Sequence, residues 1–106
     1  MDDYPPPSHL SDRSKALWSE MVPRRGTSPG RLAVVQTALE CLDRADEAAA
    51  LITKEGLTTK TGRSGVTHVH PATKIEKESR AMFFKLWQSM GFGFDQLVDG
   101  RHGNRK

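Results

Sequence analysis

Cysteine is almost missing from this sequence, with Cys41 the only one among 106 residues. A single thiol cannot close an internal disulfide, which excludes a disulfide-stapled fold and points to a reducing compartment. Long apolar runs are missing too, and none approaches the roughly 18 residues that a membrane-spanning helix needs. The first residues, Met1-Asp2-Asp3 followed by prolines, have the wrong chemistry for a secretory signal, so a cytoplasmic protein is expected. Hydrophobic residues make up 36% of the chain and charged residues 27%, the balance of a helix-rich protein with a thin core. A single domain of this length buries roughly 65% of its unfolded surface, so its stability has reason to lean on self-association.

A catalytic constellation is also lacking. Cys41 falls in the middle of an apolar helical pattern, where a buried structural thiol is expected rather than a nucleophile. Gly62-Arg63-Ser64-Gly65 lacks the Gly-Lys-Ser/Thr ending of a phosphate-binding loop. His68 and His70 have a spacing that metal sites use. Zinc needs three or four protein ligands, however, and no cysteine or carboxylate set completes them. No enzyme activity, metal or cofactor is expected.

What is present is charge with a pattern. The formal net charge is +3. Arg101, Arg105 and Lys106 supply all of it, because the preceding residues hold 13 cations and 13 acids. Residues 13–31 carry five cations against one acid, residues 40–55 two against five, and residues 60–85 six against two. Basic zones and a basic tail suit phosphate contacts, and alternating zones also suit a head-to-tail oligomer or an ordinary solvated surface. On charge alone, the candidate DNA-binding residues are Arg24, Arg25, Arg31, Lys60, Arg63, Arg101, Arg105 and Lys106.

The chain reads as mainly α, a three-helix core with a long second helix and a short β-hairpin or loop before the third. Residues 1–10 form an extended arm fixed by Pro5-Pro6-Pro7. Ser11 caps a first helix with Leu17, Trp18 and Met21 on one face, ending before Pro23. Ser28-Pro29 starts the second helix, which Gly56 ends. Val35, Ala38, Leu42, Ala45, Ala49 and Ile52 alternate three and four residues apart as a seam, and Leu32, Leu39 and Leu51 lie off it. Residues 57–61 and 66–70 are rich in β-branched residues around Gly62-Arg63-Ser64-Gly65, a hairpin signal. His70-Pro71 opens a third helix with Ala72, Ile75, Ser79, Met82, Leu86 and Met90 on one face and Phe83 and Trp87 beside it. The helical domain spans residues 11–99, and the basic tail occupies 100–106.

Taken in order, these signals resemble the phage terminase small-subunit family. The proline arm with Leu10-Ser11, Lys15-Ala16-Leu17-Trp18 and the Ala-rich second helix come first. Glu55-Gly56-Leu57, a polar loop, His70-Pro71 and the third helix follow, so the resemblance covers about residues 5–95. It implies a small helical protein that forms a ring-like homo-oligomer and binds double-stranded viral DNA in the host cytoplasm. It also implies regulation of a large terminase subunit that holds the ATPase and nuclease. Little chain follows the third helix, and the loop from Arg24 to Ser28 is compact, so the docking place of the large subunit is open. The expected oligomer interface is Val35, Ala38, Leu42, Ala45, Ala49, Ile75, Met82 and Leu86. The rival expectation is a small helical interaction or regulatory module without DNA binding.

Overall fold

The computed structural model describes residues 3–23, 25–56, 58–60 and 67–91. Helix α1 (Asp12–Met21) and helix α2 (Pro29–Glu55) come first. Strands β1 (Thr58–Lys60) and β2 (Thr67–Val69) follow, and helix α3 (Ala72–Ser89) comes last. The long second helix packs against both of the others, chiefly along α3.

Local chemistry sets the ends of α1 and α2. Ser11 Oγ accepts the Ser14 amide at 3.1 Å, and Asp12 puts negative charge on the first turn of α1, where the helix dipole favours it. Ser28 Oγ accepts the Arg31 amide at 3.1 Å, with Pro29 in the first helical position. At the other end of α2, Gly56 adopts φ 91°, a backbone that side-chain-bearing residues resist. The two strands pair antiparallel with Thr58 opposite Val69, Thr59 opposite His68 and Lys60 opposite Thr67, so the expected hairpin forms. Its turn residues, Gly62 to Gly65, lie outside the described residues, as does the 100–106 tail.

One expectation about α3 is corrected. Its buried face is Ala72, Ser79, Phe83 and Trp87, with Phe83 1% and Trp87 5% exposed. Ile75 and Met82, expected on the same face as Ala72 and Ser79, are 46% and 44% exposed. The helix is turned toward its rings because an aromatic side chain removes more apolar area from water than an aliphatic one. The Phe83 and Trp87 rings lie 5.7 Å apart in a tilted arrangement.

The core gathers α1, α2, α3 and the arm. Val35, Ala38, Leu39 and Leu42 of α2 are buried, Trp18 and Met21 come from α1, and Leu10 closes it from the arm. The arm, expected to be extended to residue 10, ends in a turn in which the Pro7 carbonyl accepts the Leu10 amide at 3.3 Å, and it is tied down. Trp18 Nε1 donates to the Tyr4 carbonyl at 2.7 Å, and His9 Nε2 meets Glu40 Oε2 at 2.7 Å. A buried indole N–H needs such a partner, so the tryptophan is both core and anchor. No helix among the described residues is long and apolar enough to cross a membrane.

Candidate nucleic-acid interface

Three of the eight basic candidates fall among the described residues. Arg25 is exposed in the α1–α2 connection, beside Gly26 at φ 77°. Arg31 is half-buried in the first turn of α2, and Lys60 ends β1. Arg24, Arg63, Arg101, Arg105 and Lys106 lie outside the described residues.

The fold does not bring Arg25 and Arg31 together with Lys60. They sit at opposite ends of α2, whose 27 residues span about 40 Å at a rise of 1.5 Å each. That separation is several times the screening length of about 8–10 Å in ordinary salt, so the two ends act as separate electrostatic sites. Each end lies in a stretch of sequence without an acidic residue, 21–39 and 56–75. Whole-segment charge counts hide this division, because they blend the acid-free stretches with their neighbours.

Between the two ends the middle of α2 is acidic, and three of its carboxylates, Glu40, Asp43 and Asp46, are engaged. Asp43 accepts the Ser11 amide at 2.8 Å on Oδ2, and the Ser11 and Ser14 hydroxyls at 2.6 and 2.5 Å on Oδ1. Partial burial pushes its carboxyl up, but the three serine hydrogen bonds outweigh it and hold the group below the usual aspartate value. Glu40 is likewise lowered, first by the Gln36 amide at 3.0 Å and then by His9. Asp46 pairs with Arg13 of α1 and Arg80 of α3, each at 3.4 Å, and Arg80 also holds Glu76 at 3.0 Å. A cavity of about 250 Å³ lined by His9, Glu40, Asp43, Arg44 and Glu47 opens on this belt. Ionised carboxylates there repel anions, so the middle of α2 is an unfavourable surface for a phosphate.

The expected interface residues divide in two. Val35, Ala38, Leu42 and Ala45 are buried in the chain's own core, where a second copy cannot reach them in this fold. Ala49 and Leu86 are half-buried, and Ile75 and Met82 are exposed. Ile75 and Met82 border a groove of about 430 Å³ between α2 and α3, with Cys41 and Ser79 also in its lining and Arg44 and Glu78 as its charged members. Cys41 is buried with a free thiol.

The two histidines that might have suggested a metal part company. His68 is exposed on β2, while His70 is buried beyond the end of that strand and meets Glu55 Oε1 at 2.7 Å through Nε2. Among the described residues, no three His, Cys, Asp or Glu side chains gather in a way that could hold a metal ion. The contacts of Asp43 with Ser11 and Ser14, and of His70 with Glu55, carry no sequence signal, because those partners lie 15 to 32 residues away. The chain matches no protein-family model, no curated protein and no solved structure.

Proposed function

We propose that this chain is a non-enzymatic DNA-packaging subunit of the phage terminase small-subunit type. It binds double-stranded viral DNA as a homo-oligomer in the host cytoplasm and regulates a large ATPase and nuclease subunit. The observation that carries the reading is the position of its spaced signals. Ser11 opens the first helix, Glu55-Gly56 closes the long one, and His70-Pro71 stands between hairpin and third helix, in the order the family resemblance implies.

The charge distribution supports a DNA role for repeated copies rather than for one. A single protomer offers two small basic ends about 40 Å apart, too few cations at either for firm binding. Repetition around a ring multiplies such weak contacts through effective concentration. Ile75 and Met82 are exposed and Ala49 and Leu86 are half-buried, so these are the members of the expected interface that a second copy can reach. A solution mass equal to that of one 11.8 kDa chain at high concentration contradicts the oligomer.

The exposed α2–α3 groove also favours a second reading, a helical interaction module without DNA. A gel shift on duplex DNA separates the two. The unmodified chain retards the duplex, whereas Arg24→Ala with Arg25→Ala, or truncation after Gly100, weakens the shift. If none of these proteins shifts the duplex, the interaction-module reading stands instead.

A further inference from the structure

The groove between α2 and α3 has an apolar floor and one charge of each sign. Cys41 and Arg44 of α2 line it, with Ile75, Glu78, Ser79 and Met82 of α3. Asp46, which meets Arg13 of α1, lies about 200° around α2 from Arg44 at 3.6 residues per turn. The groove is therefore on the side of α2 turned away from that contact, and among the described residues no α1 side chain lines it. Ile75 and Met82 stand seven residues apart on one face of α3, and Leu51, seven residues after Arg44 on α2, is 39% exposed. Covering these side chains removes apolar area from water, the main favourable term in association.

The charged members select what covers them. Among the described residues Arg44 forms no ion pair, and Glu78 has only Lys74, 3.9 Å away with both side chains well exposed. Their neighbours Asp46 and Arg80, by contrast, are held by closer partners. A patch with one cation and one anion, neither closely paired, is complementary to a copy of itself. A two-fold rotation sets the cation of each copy against the anion of the other. A partner of a single charge sign would repel one of the two.

We propose that the α2–α3 groove is an isologous interface: a second copy of this chain seats its Ile75 and Met82 on the same groove across a two-fold axis, with Arg44 of each copy paired to Glu78 of the other. This names one contact of the homo-oligomer proposed above and rests on that reading. Pairing every copy in this way requires an even number of copies.

Sedimentation velocity on the full-length chain is the test. The unmodified chain should show the mass of an even number of 11.8 kDa chains. Arg44→Glu alone, or Glu78→Arg alone, sets like charges against each other twice per contact, and each should weaken association at least about tenfold. An equimolar mixture of the two variants should recover it. The introduced acid of one then faces the introduced cation of the other, while the native Arg44 and Glu78 still pair. A pairing within one chain would not be recovered by mixing. Ile75→Asp places an acid in the first turn of α3, where the helix dipole favours it, so helical circular dichroism should be unchanged. Its association should weaken at least about thirtyfold, as loss of a central apolar contact does.

An odd number of copies, association that Ile75→Asp leaves unchanged, or a mixture no tighter than its parts overturns this interface while leaving an oligomer through another surface. A monomer at high concentration overturns the oligomer as well. Copies that pair as described but do not retard duplex DNA uphold the interface and overturn the DNA-packaging reading.

Discussion

Asp43 shows how one side chain fastens two helices. Its carboxylate accepts three hydrogen bonds from Ser11 and Ser14, so the cap of α1 is also the joint between α1 and α2. Hydrogen bonds to a charged acceptor are stronger than neutral ones, and Asp43→Asn also turns an amide donor toward serine donors. The substitution should therefore cost about 1–3 kcal/mol in chemical denaturation at neutral pH. The pH dependence follows from the depressed carboxyl. A group whose folded-state value lies below its unfolded one contributes stability above the unfolded value and loses it as pH falls through the folded value. Stability of the unmodified chain should thus decline as pH drops below about 4, the ordinary aspartate value, and Asp43→Asn should flatten that decline. An equally steep decline in the variant assigns the acid sensitivity to other carboxylates.

At the scale of elements, α3 is where physical size decided between two readings of one pattern. Phe83 lies in the core and its neighbour Met82 lies at the edge. Phe83→Ala should cost about 3–5 kcal/mol, as large-to-small changes in cores do. Met82→Ser should stay within about 0.5 kcal/mol, as exposed substitutions do. Thermal unfolding of the two variants checks the orientation of the helix, and similar losses would contradict it. The same contrast explains what was legible in the sequence. Ser11, Ser28-Pro29 and Gly56 fix their helix ends through contacts a few residues away, so those ends could be read directly. The paired strands are legible because β-branched runs flank a glycine-rich stretch of sequence. Of the expected α3 face, Ala72, Ser79, Leu86 and Met90 do turn toward the core. Ile75 and Met82 do not, which a binary apolar pattern hides because it weighs them equally with the larger rings of Phe83 and Trp87. The Asp43–serine joint and the His70–Glu55 contact are hidden from the sequence because those partners are distant in the chain and meet only after packing.

At the scale of the whole molecule, the candidate site was legible as charge but not as geometry. Basic residues on either side of α2 could be counted, yet only the rigid helix between them shows that Arg25 and Lys60 form no common surface. The seam of α2 was read correctly as apolar, but Val35, Ala38, Leu42 and Ala45 serve the chain's own core. Of the expected interface residues, the exposed ones are Ile75 and Met82, so the proposed oligomer has that edge to use. On this account binding strength comes from repetition of small basic ends, each neutralising a few phosphates. The measurement that tests this most directly is the affinity of the intact chain for duplex DNA across a series of salt concentrations. The account predicts a linear fall of log K with log salt, with a slope of roughly −3 or steeper at about 0.9 per phosphate neutralised. No measurable binding at low salt, or binding that salt leaves unchanged, would contradict it.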